Sequence, residues 1–319
     1  MHMQVKTPSR LHLGLLDLNG NLGRIYGSVG LALSHPVILL EAKSSEELIV
    51  KGEEKDLLLS LIKKFSESQK IDVKAEIELR EVIPPHVGLG SGTQLSLAVA
   101  SCLSHIHGLS LSVVEMATLM GLGAISGIGT ACFEHGGFII DGGHKSMEYA
   151  GPPPVIFRHP FPKHWSFIVA IPGAGKGIYG EREERALKKM IPSPPEITAE
   201  VCRLVQMKML PSLIEEDIED FGRSLTEVDK RVGRYFKNVQ EDIYSERICT
   251  EIMEFMLEEG SHGGGQSSWG PVVYGVIEDS RIKDLEGSVR DFLSEKNIRG
   301  QVFSTRANNE GARITIIED

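Results

Sequence analysis

Cysteine is scarce in this 319-residue sequence, which has only Cys102, Cys132, Cys202 and Cys249. No two are close enough for a CxxC pair, which argues against a zinc ribbon or a thioredoxin-like redox site. Four scattered cysteines are expected to be buried, reduced thiols of a cytosolic protein. Basic residues are outnumbered, with 34 Lys and Arg against 44 Asp and Glu, a formal charge of −10. That balance repels phosphate backbones and argues against a general nucleic-acid binder. Long apolar runs are also missing. Each is broken by Gly, Ser, His or Pro well before the roughly 18 residues of a membrane span. Met1 to Arg10 lacks an apolar signal core, so no secretory signal is expected. The expectation is a cytoplasmic chain with no membrane and no nucleic-acid partner.

What is present is ordinary globular composition, 41% hydrophobic and 24% charged, with abundant glycine at 34 residues. The length suggests two domains. Strand-like runs fill the first 50 residues, with Val29–Leu33 and Val37–Ala42 as separate runs around His35-Pro36. Helical periodicity follows over Lys55–Ser68, alternation over Val73–Leu79, and a mostly buried helix over Ser91–His107. Ser112 and Glu115 form a capping box for a helix over Ser112–Leu119. Gly151-Pro152-Pro153-Pro154 is the clearest break, which places a boundary between residues 1–155 and 156–319. Beyond it, strands are predicted at Trp165–Ile171, Val272–Ile277, Gly300–Thr305 and Ala312–Ile317. Helices are predicted at Glu181–Met190, Thr198–Leu210, Leu213–Val239, Ile243–Glu259 and Ile282–Lys296. Gly263–Gly265 reads as a Gly-rich turn. The class is α+β.

The most informative segment is Pro84-Pro85-His86-Val87-Gly88-Leu89-Gly90-Ser91-Gly92-Thr93. Glycines at alternate positions let the backbone bend tightly and approach a ligand. The helix that starts there offers unpaired N–H groups to an anion, usually phosphate. Ser91 and Thr93 add hydroxyls. The alternative is a glycine-rich helix start used only for close packing. There is no Lys after Gly92, so this is no Walker A loop, and the glycine spacing is not the dinucleotide fingerprint.

Pro84-x(3)-Gly88-Leu89-Gly90-Ser91-Gly92 resembles the second motif of the galactokinase, homoserine kinase, mevalonate kinase and phosphomevalonate kinase (GHMP) superfamily. Thr7-Pro8-Ser9-Arg10-Leu11-His12-Leu13-Gly14 is similar to its first motif, and Gly263–Pro271 loosely to its third. The resemblance implies an N-terminal domain like ribosomal protein S5 domain 2 and a ferredoxin-like C-terminal domain. In those kinases a Ser-Gly-x-Asp segment supplies a catalytic carboxylate. Here the segment is Ser126-Gly127-Ile128-Gly129, and glycine can neither act as a base nor hold a metal. Glu134 or Asp141 would have to substitute in a kinase.

The details resemble a non-kinase branch, the β-ribofuranosylaminobenzene 5′-phosphate synthase family of methanopterin biosynthesis. Arg10–Leu18, Gly23–Gly30, Ser126–Gly143, Met207–Pro211, Val232–Phe236 and Gly265–Gly275 carry that resemblance, which runs from residue 4 to about 315. It implies a decarboxylating phosphoribosyltransferase. Phosphoribosyl pyrophosphate would donate, 4-aminobenzoate or 4-hydroxybenzoate would accept, and Mg²⁺ would be the cofactor of a homodimer. Pyrophosphate and carbon dioxide would leave and a β-C-riboside 5′-phosphate would form. The alternatives are an ATP-dependent small-molecule kinase and a catalytically inactive ligand-binding relative.

On that reading, Gly88, Gly90, Ser91, Gly92 and Thr93 cradle phosphate, and Arg24 clamps it with its planar fork. Asp17 stabilises the ribose cation or binds Mg²⁺; alternatively it caps the Asn19-Gly20 turn. Arg10 pairs with the acceptor's carboxylate. A surface arginine is the alternative at both positions. Lys176, in Gly173-Ala174-Gly175-Lys176-Gly177, binds a substrate phosphate or is a solvated loop lysine. Gln266, Ser267 and Ser268 hold a polar ligand. Trp269 faces the acceptor ring or packs the core, and His12 either contacts substrate or is structural. The metal ligands are not legible.

Overall fold

Strand pairing joins the two ends of the chain. The computed structural model describes residues 1–52, 54–145, 151–173, 192–236 and 243–317. A seven-stranded, mostly antiparallel sheet contains β1 (His2–Asp17), β2 (Tyr26–Ser44), β3 (Ile49–Lys51), β4 (Ala75–Glu81), β5 (Phe138–Asp141), β6 (Val155–His159) and β11 (Arg313–Ile317). Its order is β11-β1-β2-β4-β3, with β5 beside β2 and β6 beside β5. The second sheet holds β7 (Trp165–Pro172), β8 (Gly263–Gln266), β9 (Val273–Glu278) and β10 (Gly300–Arg306) in the order β10-β7-β9-β8. Counted from its own first strand, that order is 4-1-3-2 with every pair antiparallel. This is the ferredoxin-like arrangement that the resemblance implies.

The division at 155/156 does not follow the sheets. Val155 opens β6, which pairs with β5, and β11 returns to pair His2 with Ile317. The prolines end a run of composition but not a run of packing, since Gly142 N–H still donates to Pro154 O at 2.8 Å. Nor is the strand after Gly27 interrupted at His35-Pro36. Both runs belong to β2, and a register shift between Pro8 and Ser9 of β1 absorbs the irregularity.

Helical periodicity translates directly into packing. In α1 (Lys55–Gln69), Leu58, Ile62 and Phe65 are buried. The capping box opens α3 (Val113–Leu119), where Glu115 N–H donates to Ser112 Oγ at 3.2 Å. The helix predicted over Leu213–Val239 is instead split. After the short α4 (Ile128–Glu134), Pro195–Leu204 (α5) passes through a π turn at Val205–Met209 into α6 (Leu210–Ile214), and α7 starts afresh at Ile218 and runs to Phe236. Helices α8 (Arg247–Glu258) and α9 (Ile282–Glu295) complete the second half. The predicted helix over 181–190 lies outside the described residues.

One hydrophobic cluster takes in both sheets, from Leu11 and Leu31 to Phe167 and Val276. Phe161, Trp165 and Phe221 meet at its centre with ring centroids 5.3–5.5 Å apart. A second cluster fills the space between β7, β9, α8 and α9.

Gly263–Gly265 is a further correction. It is no turn but most of strand β8, wholly buried. Helix α7 lies so close that a Cβ on Gly263 would stand 1.9 Å from Gly222 O. The missing side chains let the two backbones touch. Of the cysteines, Cys102, Cys132 and Cys249 are buried and unpaired as expected, but Cys202 is exposed. Among the described residues no helix is long and apolar enough to cross a membrane.

Candidate active site

Helix α2 (Ser91–Ile106) begins at the Gly-rich loop, and its head is left open. Gly90 is the N-cap with φ +80°, no side chain caps the helix, and no acidic residue stands in the first turn. The first N–H groups and the positive end of the dipole are therefore available to an anion. Three segments distant in sequence are tied together beneath this loop. Arg10 N–H donates to Leu89 O at 3.0 Å, and its guanidinium donates to Gly88 O at 2.5 Å. Ser267 Oγ donates to the same Gly88 carbonyl at 2.6 Å and accepts from His12 N–H at 3.0 Å. The backbone of β1, the Gly-rich loop and the segment after β8 thus form one knot.

Above the knot opens a cleft of about 500 Å³. One part of its lining is polar: Gly90, Ser91, Gly92, Thr93, Ser96 and Ser126. Another is apolar and aromatic, formed by Leu15, Val232, Phe236 and Trp269. Trp269 and Phe236 meet edge to face with centroids 4.4 Å apart. Trp269 therefore packs against Phe236 and also lines the cleft.

Of the residues singled out in the sequence, Arg10, Gly88, Gly90, Ser91, Gly92, Thr93 and Gln266 line this cleft. Ser267 is fully buried in the knot beneath it. Arg10 acts there as a prop for the loop, with Gly88 O as its acceptor. Asp17 and Arg24 are not brought into the lining. Asp17 Oδ1 accepts from Asn19 N–H at 2.7 Å and Gly20 N–H at 2.8 Å, which is the turn-capping alternative. Arg24 spends its fork on backbone, donating to Gly142 O and Gly143 O, both at 2.6 Å. Lys176 lies outside the described residues.

A kinase-type acid has no place at Gly129. A Cβ there would meet Thr93 Cγ2 at 2.8 Å. The substitutes are no better placed. Glu134 is exposed beside His135. Asp141 is fully buried and holds the loops together, accepting from Gly127 N–H at 2.9 Å and Gly143 N–H at 3.0 Å. Neither lines the cleft.

Two titratable side chains that the motifs do not single out as catalytic, His12 and Asp229, line the cleft. His12 lines it half-buried, and burial together with the Arg10 guanidinium pushes its pKa down to about 3. It is a neutral imidazole at physiological pH. Asp229 of α7 is 8% exposed and is the carboxylate of the described cleft wall. Its Oδ1 accepts from Gln266 N–H at 3.0 Å, while Oδ2 has no hydrogen-bond partner among the described residues. The Tyr274 hydroxyl is buried and unpartnered too, and the Tyr244 hydroxyl, which also lines the cleft, lies beside Asp229 without a hydrogen bond of ordinary geometry. Each such group costs roughly 1–3 kcal/mol. Burial pushes Asp229 up to about 7, against the opposing pull of the Tyr244 hydroxyl and the Gln266 N–H. The signal in the sequence was positional. Phe221, Leu225, Val228, Val232 and Phe236 form an apolar stripe, and Asp229 stands within it, four residues after Leu225.

Among the described residues no three of His, Cys, Asp and Glu come together as metal ligands. Mg²⁺ is usually held by one or two carboxylates plus phosphate oxygens and water. The described side chains build no such cage on their own.

Known proteins match this chain at two levels. Residues 56–137 match the GHMP kinases N terminal domain. Among solved structures, a homoserine kinase from Cytophaga hutchinsonii superposes with a TM-score of 0.69 at 16% identity, covering 98% of this chain and 97% of that one. A mevalonate kinase gives 0.69 at 16% identity over 96% and 99%. At those identities they establish the fold alone. In sequence, beta-ribofuranosylphenol 5′-phosphate synthase of Archaeoglobus fulgidus is 40% identical, over 98% of this chain and 100% of that protein. The Methanothermobacter thermautotrophicus protein of the same name is 35% identical over 97% of each. With the fold shared by the kinases, the kinase acid missing and the match to these archaeal proteins running end to end, the chain belongs to the beta-ribofuranosylphenol 5′-phosphate synthase family.

Proposed function

We propose that the cleft joins phosphoribosyl pyrophosphate to 4-hydroxybenzoate or 4-aminobenzoate, releasing pyrophosphate and carbon dioxide and forming a β-C-riboside 5′-phosphate. The observation that carries this reading is the end-to-end match with proteins whose name describes such a product, a ribofuranosylphenol phosphate. That name favours the phenol acceptor. The geometry is consistent with it. Departing pyrophosphate builds negative charge, and the uncapped head of α2 offers fixed donors to it. The Trp269 and Phe236 wall suits an aromatic ring.

Mg²⁺ is proposed to arrive on the donor's phosphate oxygens, since the described residues form no cage for it. The test uses carboxyl-labelled acceptors with phosphoribosyl pyrophosphate and Mg²⁺. Labelled carbon dioxide is expected, together with pyrophosphate. EDTA should stop turnover while leaving the melting temperature of the free chain unchanged. No carbon dioxide from either acceptor overturns the reading.

Gly92 offers a sharper check on the phosphate cradle. It lines the cleft, and a Cβ there would meet nothing within 4 Å. Alanine also favours helix over glycine by about 1 kcal/mol. Gly92→Ala should therefore melt no lower than the wild type, yet its methyl would project where the donor's phosphate binds. The donor KM is expected to rise about tenfold, the worth of a lost or lengthened charge-assisted hydrogen bond. An unchanged donor KM would take Gly92 out of the phosphate site.

A further inference from the structure

We propose that Asp229 is the base that removes the phenol proton of a 4-hydroxybenzoate acceptor and later returns it. The inference rests on the reaction just proposed and adds to it a residue and a choice between acceptors. Asp229 lines the cleft that carries the Trp269 and Phe236 wall, and it is nine-tenths buried. One oxygen is fixed by Gln266 N–H, and the other has no hydrogen-bond partner among the described residues. The Tyr244 hydroxyl lines the same cleft and lies close enough to Asp229 to favour its ionised form. Room for the carboxylate is made by Gly265, where a Cβ would stand 2.3 Å from Asp229 Cγ. Buried polar atoms are nearly always paired, so an unpaired carboxylate oxygen in the wall of a cleft calls for a ligand.

The chemistry needs one proton moved out and back. The hydroxyl of 4-hydroxybenzoate lies para to the carbon that bears the carboxylate. As Asp229 takes the hydroxyl proton, the freed electron pair is pushed through the ring to that carbon. The carbon bonds to ribose C1, and the C1–oxygen bond breaks with its pair leaving on pyrophosphate. The result is a dienone carrying ribose and carboxylate on one carbon. The bond to the carboxylate then breaks, carbon dioxide leaves, and its electron pair restores the ring and leaves a phenolate. The phenolate takes the proton back from Asp229, and the enzyme ends as it began. With 4-aminobenzoate the nitrogen lone pair does the pushing. The iminium it forms is neutralised when carbon dioxide departs, so no proton need move.

Asp229 is suited to a reversible transfer. Its surroundings push its pKa up to about 7, close to working pH, where a group both accepts and donates readily. The groups facing it are Tyr244, Tyr274 of β9, the Gln266 amide and Lys230 on its own helix. His12 of β1 lines the same cleft as a neutral ring.

The test compares the full-length wild type with Asp229→Asn, using saturating donor and each acceptor in turn. With 4-hydroxybenzoate, kcat should fall about 100-fold or more, the usual worth of a general base. With 4-aminobenzoate it should stay within about threefold, and so should the donor KM, because neither needs the proton transfer. A ring-fluorinated 4-hydroxybenzoate, already ionised at the assay pH, should bring the variant back toward the wild type. In the wild type, kcat/KM for 4-hydroxybenzoate should rise with pH through a limb near 7, because the base works only when ionised. That limb should be absent with 4-aminobenzoate. An equal loss with all acceptors, or no loss, overturns the proposal. If the variant does not fold, the wild-type pH profiles decide, and identical limbs with both acceptors overturn it. Turnover of neither acceptor by the wild type overturns the reading of the reaction, and this inference with it.

Discussion

Gly263→Ala is expected to cost the chain a large part of its stability. A Cβ on Gly263 would stand 1.9 Å from Gly222 O and 2.2 Å from Gly222 C, so it would lie inside the backbone of α7. Side chains can rotate away from such a contact, but a helix backbone cannot. Nor can α7 lift off β8 cheaply. Gly264 N–H donates to Thr226 Oγ1 at 2.9 Å and Gln266 N–H to Asp229 Oδ1 at 3.0 Å, both across the same junction. Thr226 and Asp229 are buried, so separation would strip those groups of their partners. The loss should be about 4 kcal/mol or more, at the diagnostic end of single substitutions. Domains are stable by roughly 5–15 kcal/mol, so between about a quarter and most of the margin would go. Urea unfolding reads it directly. Gly287→Ala is the matched control. It lies inside α9 with nothing within 4 Å of its Cβ, and it should gain up to about 1 kcal/mol. A Gly263→Ala chain with the wild-type urea midpoint would mean that helix and strand are not in backbone contact.

That junction shows why some of the fold was legible and some was not. Local signals translated well, because helix caps and apolar periodicity act over a few residues. Ser112 and Glu115 close their box, and Leu58, Ile62 and Phe65 turn inward together. The order of the ferredoxin-like sheet followed from the superfamily motifs. Three glycines in a row look the same whether they make a turn or a strand pressed against a helix. Only the contact with Gly222, some 40 residues earlier, separates the two, and it leaves no local trace. The strand β11 escaped the proposed domain division for the same reason, since its partner is β1, at the other end of the chain.

The site divides the same way. Gly88, Gly90, Ser91, Gly92 and Thr93 are legible as one group because they sit in a single glycine-rich stretch, and the structure brings them to the cleft wall. Asp17 and Arg24 have suitable chemistry and stand beside the first motif, but side-chain direction depends on distant backbone. Arg24 turns to the carbonyls of Gly142 and Gly143, more than 100 residues away. Asp229 is hard to pick out locally, because it stands in a helix that also carries Glu219, Asp220 and Glu227. Its neighbours Leu225, Val228 and Val232 place it on the buried stripe. The useful signal was an acid inside the stripe, not the number of acids in the helix.

Gly88→Ala should have the largest effect on activity for the smallest effect on composition. Gly88 holds φ +98°, a conformation that L side chains rarely adopt, and a Cβ there would stand 2.4 Å from Ser267 O. The variant must move either the loop or the segment after β8. Both moves disturb the same knot, because the Gly88 carbonyl accepts from both the Arg10 guanidinium and Ser267 Oγ. Ser267 in turn holds the backbone of His12, so the disturbance reaches β1. A shift of about 1 Å in a positioning loop can cost 100-fold in turnover, and kcat/KM for the donor should fall by at least about that factor. The knot is one corner of a large core, so the chain should still fold, with a loss of about 1–3 kcal/mol from the strained residue. Comparison with Gly92→Ala then separates two roles of one loop. At Gly92 the added methyl meets open cleft, so binding alone should suffer. At Gly88 it meets backbone, so kcat and stability should fall together. Wild-type kcat/KM in Gly88→Ala would mean that the loop does not take its shape from the Arg10 and Ser267 knot, and that the head of α2 positions phosphate without it.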